Sequence, residues 1–152
     1  MSNAPKIDAV DDLYDNDGYA WSKREAELLR QRRFAEIDLA NVVEEIASVG
    51  KSEWRELKSN YQLIIQHLLK WQYQPERRSR SWTDTIRTHR NNVEANEDDS
   101  PSLAAEAGEI VARAYGLARK RAARETGLPL SAFPETCPYT VDQLRDHDFL
   151  PE

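Results

Sequence analysis

The sequence has few of the residues that mark several familiar classes of site. Its single cysteine, Cys137, excludes an intramolecular disulfide and any zinc site built from several cysteines. Its five glycines stand apart from one another, so there is no glycine-rich loop that could cradle a phosphate. The helical metal-binding patterns Glu-x-x-His and His-x-x-x-His are also absent. Function must therefore be sought in charge patches and isolated polar residues.

Long apolar segments are missing as well. No run approaches the roughly 18–20 apolar residues that a membrane-spanning helix needs, and the first residues lack the apolar core of a secretory signal. We therefore expect a cytoplasmic protein that does not span a membrane. Residues 1–11 are polar and acidic and are predicted to form a flexible N-terminal segment.

The composition is that of one charged, helix-rich domain. The chain has 152 residues, of which 39% are hydrophobic and 32% charged. That length allows a single core, and the abundance of Leu, Ala, Glu and Arg favours helices. The formal net charge of −6 disfavours nucleic-acid binding through bulk charge, although a local basic patch remains compatible with it.

Apolar residues at spacings of three and four predict about five main helices. The strongest stripe runs over Ser52–Tyr73, and Pro75 should end that helix. A preceding helix, Leu39–Val49, is either separate from it or joined to it through a kink at Gly50. The predicted helix starts are near Asp15 to Asp17, at Leu39, at Ser52, near Ser79 or Ser81, and at Ser100.

The remaining signals concern helix ends and the C-terminal region. The acidic run Glu94–Ser100 is predicted to be a loop, and Gly127 should follow the end of the last long helix. A proline-rich hook comes after it, with a short helix whose capping box is Thr140 and Gln143. The sequence thus predicts an all-α, single-domain bundle over residues 12–151 that ends in this hook.

Several strings resemble a known bacterial family. They are LYDNDGYAW near the start, KWQYQPERRSRSW in the middle, and GLPLSAFPETCPYTVDQLRDHDFLP at the end. Together they resemble the DUF29 family, a bacterial domain of unknown function, over about residues 12–151. The resemblance implies an all-helical fold. It implies no catalytic residues, because the family has no established activity.

The densest basic cluster lies between Lys70 and Arg90. Six basic and two acidic residues give this stretch a net charge of +4 within a chain of −6. Arginine forks bind carboxylates and phosphates, and tryptophans offer stacking surfaces. The alternative is that these arginines pair with acidic residues of neighbouring helices and hold the turn in place. The candidate binding residues are Arg77, Arg78, Arg80, Trp82 and Arg87.

Histidines are the other candidates. His67 lies at the edge of its helix's apolar stripe, and a metal or acid–base site there would need carboxylates from another helix, with Glu44 and Glu45 as candidates. A buried histidine with satisfied hydrogen bonds is the simpler interpretation, for His67 and for His89. No cofactor is predicted, and Cys137 is expected to be a packed small residue.

The leading functional hypothesis is a non-enzymatic helical module that binds a protein partner through the basic turn near Gln74–Arg87. One alternative is an enzyme or metal-binding bundle that uses His67 with Glu44 or Glu45. Another is nucleic-acid or phosphate binding through Arg77, Arg78, Arg80 and Arg87.

Overall fold

A computed structural model describes residues 13–152 of the chain. The predicted flexible segment, residues 1–11, lies outside the described residues. Within residues 13–152 the regular structure is helical and includes no strand, so the all-α prediction is confirmed. None of the helices in that range is both long and apolar enough to span a membrane. The chain divides into a first compact unit that ends at Lys51 and a second unit, Ser52–Glu152.

The helices follow one another with short connections. The α-helices are α1 (Gly18–Arg30), α2 (Leu39–Tyr73), α3 (Arg80–Asp99), α4 (Pro101–Ala104), α5 (Ala107–Thr126) and α6 (Val141–Arg145). Single 3-10 turns stand at Phe34–Glu36, Pro75–Arg77 and Leu130–Ala132.

The structure decides three of the predicted helix boundaries. Of the two alternatives at Gly50, that of two separate helices is wrong: the segments are joined in one helix, α2, because a single glycine costs only about 1 kcal/mol. The run Glu94–Asp99 is not a loop but the end of α3, where Asn96 and Glu97 bond to Asn60 and Tyr61 of α2. A helix does begin directly after Ser100, as predicted, but it ends at Ala104, so the predicted long helix is divided into α4 and α5.

In the first unit, α1 is tied to the start of α2 by hydrogen bonds to Asp38. Asp17 caps α1 as predicted, accepting the Ala20 N–H at 3.0 Å. Trp21 donates its indole N–H to Asp38 Oδ2 at 3.1 Å, and buried Glu25 accepts the Asp38 backbone N–H at 2.9 Å. These bonds tie α1 to the start of α2 and give the Asp38 N–H an acceptor. The second carboxylate oxygen of Glu25 is buried without a hydrogen-bond partner among the described residues.

The predicted apolar stripe at the start of α2 is largely exposed. Val42 is buried, but Leu39, Val43 and Ile46 are 62%, 56% and 69% exposed. These residues recur at helical spacing, and α2 includes them as predicted, but an amphipathic stripe usually packs inward. Among the described residues nothing covers Leu39, Val43 and Ile46 to the extent that a core position would require.

The core of the second unit is built on the C-terminal half of α2. Leu57, Tyr61, Ile64 and Leu68 have no exposed surface, which confirms the stripe predicted over Ser52–Tyr73. The α5 helix packs with a face of small residues, including the fully buried Ala114, Ala118 and Ala122. Small side chains allow the backbones of neighbouring helices to approach closely.

The C-terminal hook is fastened to this core by Arg90 of α3. Arg90 is only 2% exposed, and its guanidinium donates to the carbonyl oxygens of Leu144, Phe149 and Gln143 at 2.9, 2.9 and 3.1 Å. The predicted capping box at Thr140 and Gln143 is confirmed, and it starts α6. Arg90 thus belongs to the interior, although the sequence groups it with the basic cluster.

We expect Arg90→Met to lower the free energy of unfolding by about 2–4 kcal/mol, because three buried carbonyl groups would lose their donor. Denaturant unfolding followed by circular dichroism measures the change. The matched control is Arg87→Met on the same helix, whose side chain is 65% exposed and whose loss should stay within about 0.5 kcal/mol. Equal effects of the two substitutions would contradict the anchoring role of Arg90.

Two glycines provide a second test, with opposite signs. Gly50 lies inside α2, and a Cβ there would meet no atom within 4 Å, so Gly50→Ala should stabilise the protein by about 0.5–1 kcal/mol. Gly127, the predicted residue past α5, has φ +73°, so Gly127→Ala should destabilise it by about 1 kcal/mol. Thermal unfolding of both variants checks the prediction, which fails if the two shifts have the same sign.

Candidate functional site

The exposed basic residues gather where α2 gives way to α3. Pro75 follows the end of α2 and opens a 3-10 turn, and Ser79 then caps α3 by accepting the Trp82 backbone N–H at 3.4 Å. We call the surface formed by Arg77, Arg78, Arg80 and Arg87 the basic corner. All four residues are exposed.

The corner is held by contacts to α5 and to α2. Gln74 donates its side-chain amide to the Thr126 carbonyl at the end of α5, at 3.1 Å. Arg78 folds back onto α2, donating Nε–H to the Trp71 carbonyl at 2.8 Å with its guanidinium 4.8 Å from the Trp71 ring centre. One predicted binding arginine is therefore used mainly to fix the turn.

Trp82, another predicted contact residue, has a structural role. The Lys70 ammonium lies 4.7 Å from the centre of the Trp82 ring and also donates to Glu125 Oε2 of α5 at 2.9 Å. Trp82 is half-buried beneath this ion pair. The ring therefore joins α2 and α3 and presents little free face for stacking with a ligand.

The other three arginines of the corner point outward. Arg87 lies 3.2 Å and Arg80 3.8 Å from the carboxylate of Asp84, and the Arg80 side chain is 91% exposed. Arg77 has no ion-pair partner within residues 13–152. Three guanidinium groups thus face solvent with Asp84 as the carboxylate beside them, and exposed pairs of this kind contribute little to stability.

A shallow trough opens beside the corner along the outer face of α3. It is lined by Arg80, Ser81, Asp84, Thr85, Thr88 and His89. The hydroxyls of Thr85 and Thr88 donate to the carbonyls of Ser81 and Asp84, at 3.0 and 2.9 Å. Their protons are therefore committed to the helix backbone, which leaves Arg80, Ser81 and His89 as the groups with donors to offer.

His89 connects the trough to a buried polar cluster. Its Nδ1 lies 2.8 Å from Oδ1 of Asn60, a residue only 6% exposed on α2. The Asn60 amide nitrogen donates to the Glu56 carbonyl and to Asn96 Oδ1, both at 3.1 Å, so its oxygen must accept from His89. The expectation that His89 is hydrogen-bonded is confirmed. Partial burial lowers the pKa of its imidazole below the ordinary value.

The sequence analysis missed this cluster, although a signal for it exists. Asn92 also donates to Asn60 Oδ1, at 3.2 Å, so His89, Asn92 and Asn96 all face Asn60. They follow each other on α3 at spacings of three and four, which places them on one helix face. A polar stripe of this kind predicts a partner amide or histidine on a facing helix.

His67 is engaged within its own helix. Its Nδ1 lies 2.8 Å from the Leu63 carbonyl oxygen, one turn earlier in α2. Burial lowers the pKa of the imidazole, the charge of Lys70 lowers it further, and the Leu63 carbonyl and Glu125 oppose both effects. This arrangement agrees with a buried histidine whose hydrogen bond is satisfied.

Glu44 and Glu45 belong to the first unit, whereas His67 belongs to the second. Glu44 lies 4.0 Å from the Lys51 ammonium, and Glu45 accepts the Tyr14 hydroxyl at 2.6 Å. The bond to Glu45 raises the pKa of Tyr14 to about 12. Among residues 13–152, no group of three or more His, Cys, Asp or Glu side chains is arranged to hold a metal ion.

Cys137 is half-buried in the hook, with its sulfur 3.5 Å from the Tyr139 carbonyl oxygen. Burial raises the pKa of its thiol. A thiol that is harder to ionise is a poorer nucleophile, which agrees with the expected packing role.

Comparisons with known proteins bear on the family alone. Neither the curated proteins nor the solved structures include a match to this chain. The sequence model of DUF29, described as a domain of unknown function, matches residues 13–150. That range covers nearly the whole chain and includes both compact units and the basic corner, so the resemblance seen in the sequence is confirmed. The chain belongs to the DUF29 family.

Proposed function

We propose that this protein is a non-enzymatic interaction module that binds an acidic segment of a protein partner through the basic corner. The observation that carries the proposal is the outward direction of Arg77, Arg80 and Arg87, of which Arg80 and Arg87 lie beside the carboxylate of Asp84. If all of its arginines were paired with carboxylates of this chain, the corner would have few guanidinium donors available to bind a ligand.

The charge distribution supports an acidic partner. The stretch Lys70–Arg90 carries +4 within a chain of −6, so the corner is a local positive region on an acidic protein. Such asymmetry orients an approaching acidic chain toward the corner and repels it elsewhere. Guanidinium groups also bind carboxylates through two parallel hydrogen bonds, which adds geometric selectivity.

The rigidity of the turn supports binding as well. The contacts of Gln74 with Thr126, of Arg78 with Trp71, and of Lys70 with Glu125 fix the backbone that carries the free arginines. A surface that is ordered before binding loses less conformational entropy in the complex.

The same contacts favour a protein over a single-stranded nucleic acid. Nucleic-acid surfaces of this type combine basic residues with exposed aromatic rings for base stacking. Here Arg78 lies over Trp71 and Lys70 lies over Trp82, so the nearby rings already have cationic partners. The overall charge of −6 also disfavours nucleic-acid binding.

We further propose that the module works in the bacterial cytoplasm. A chain with a single cysteine does not rely on the internal disulfides common in small secreted domains. The family resemblance supports a bacterial source.

The direct test replaces the outward arginines and measures binding of a fluorescent Asp-rich peptide by anisotropy. Arg77→Glu combined with Arg80→Glu should weaken binding at least about tenfold, because two attractive charges become repulsive. The matched control is Lys120→Glu combined with Arg121→Glu, which makes the same charge change at exposed positions on α5. The control should stay within about threefold of wild type at moderate salt.

Two results would overturn the proposal. Equal weakening by both double variants would mean that only total charge matters, and failure of the wild-type protein to bind acidic peptides would remove the ligand class. Single-stranded DNA is measured alongside. Tighter binding of DNA than of peptide, with a steep salt dependence, would favour the nucleic-acid alternative. Circular dichroism establishes that each variant is folded.

A further inference from the structure

We infer that the trough on α3 is a subsite for one carboxylate of the bound acidic segment, contacted by Arg80, Ser81 and His89. The inference rests on the proposed function, because it names the place where that segment is held most closely. It adds a ligand-contacting histidine that the basic corner does not contain.

Arg80 is the group that joins the corner to the trough. Its side chain lines the trough, is 91% exposed, and lies 3.8 Å from the Asp84 carboxylate. That separation is longer than a good charge-assisted hydrogen bond of about 2.7–2.9 Å. The guanidinium is therefore free to bond a ligand carboxylate without giving up a strong internal contact.

Asp84 also lines the trough, and its charge must be considered. It lies beside both Arg80 and Arg87, so the three groups together carry a net charge of +1. The threonine hydroxyls of the trough are committed to the backbone and do not compete. The local charge therefore favours an anion, and the Ser81 hydroxyl supplies a neutral donor beside Arg80.

His89 differs from the arginines because its donor depends on protonation. Asn60 accepts the proton on Nδ1, which leaves Nε2 as the ring nitrogen available to a ligand in the trough. Neutral Nε2 can only accept a hydrogen bond, so it offers nothing to a carboxylate. Protonated Nε2 donates a charge-assisted hydrogen bond to the same carboxylate.

The surroundings of His89 determine when that donor appears. The charged and titratable groups near the ring are Arg80 and Asp84 in the trough and His67 on α2. Burial lowers the pKa of His89, whereas a bound carboxylate raises it. Since ligand and proton favour each other, affinity should rise as the pH falls below the ordinary histidine pKa of about 6.5.

The experiment measures anisotropy of the Asp-rich peptide with the full chain between pH 7.5 and 5.5. Aspartates stay ionised over this range, since their ordinary pKa is about 3.9. Wild-type affinity should increase about two- to fivefold on acidification, the size of one partly exposed charge pair. His89→Asn should bind as wild type does at pH 7.5 and show no such increase, because its amide keeps a donor for Asn60.

His147→Asn is the matched control. His147 is exposed and lies 3.4 Å from Glu94, away from the residues that line the trough. This variant should keep the wild-type increase in affinity. An increase in His89→Asn as large as that of wild type would overturn the subsite while leaving the basic corner as the binding surface. Absence of peptide binding by the wild-type protein would overturn both proposals.

Titration of the imidazole by nuclear magnetic resonance provides a test that needs no variant. Saturating Asp-rich peptide should raise the pKa of His89 in the wild-type protein and leave that of His147 unchanged. A His89 pKa that does not move on peptide binding would overturn the subsite, even if His89→Asn proved too unstable to use.

Discussion

A buried guanidinium sets the main constraint on the second unit. Removing an arginine from water costs several kcal/mol unless its donors find partners. Arg90 finds no carboxylate within hydrogen-bond distance in the described chain and instead uses three backbone carbonyls of the C-terminal hook. Those carbonyls converge only when α6 and the residues after it lie in place. The hook is therefore part of the core, and its attachment and the burial of Arg90 depend on each other.

The basic corner owes its rigidity to that core. The α3 helix turns Ile86, Arg90 and Val93 inward, which fixes its rotation about its own axis. With that rotation fixed, Arg80 and Arg87 must lie on the solvent side. One helix thus carries a buried structural arginine and solvent-facing arginines within a few residues, and the direction of each side chain separates them. Formal charge alone does not distinguish them.

Sequence reasoning succeeded where the governing interactions are local. The left-handed turn at Gly127 and the Thr140 capping box depend on neighbours within a few residues, and the stripe Ser52–Tyr73 depends on helical period. Sequence reasoning failed where contacts between residues far apart in the chain determine the structure. The inward direction of Arg90 depends on carbonyls more than fifty residues away, and the last turns of α3 are held through Asn96 and Glu97.

The candidate site divides in the same way. The local density of basic residues predicts where the corner lies. The sequence does not show that Arg78 folds onto Trp71 while Arg77 and Arg80 point outward. Aromatic rings near arginines are common both in protein cores and in binding sites, so the sequence alone did not reveal the structural role of Trp82. The position of the Lys70 ammonium over the Trp82 ring shows that this tryptophan has a structural role.

The hydrogen bond between His89 and Asn60 explains how the imidazole in the trough can titrate without disturbing the fold. Neutral and protonated imidazole both carry a proton on Nδ1 here, so the bond to Asn60 Oδ1 persists when Nε2 gains its proton. The buried amide cluster on the far side of the ring therefore keeps the same hydrogen bonds in both states. The energetic consequence of protonation is confined to the trough, where a carboxylate ligand would meet the new charge. His89 can thus keep its Nδ1 hydrogen bond to the buried Asn60 in both protonation states while Nε2 gains or loses a proton at the surface.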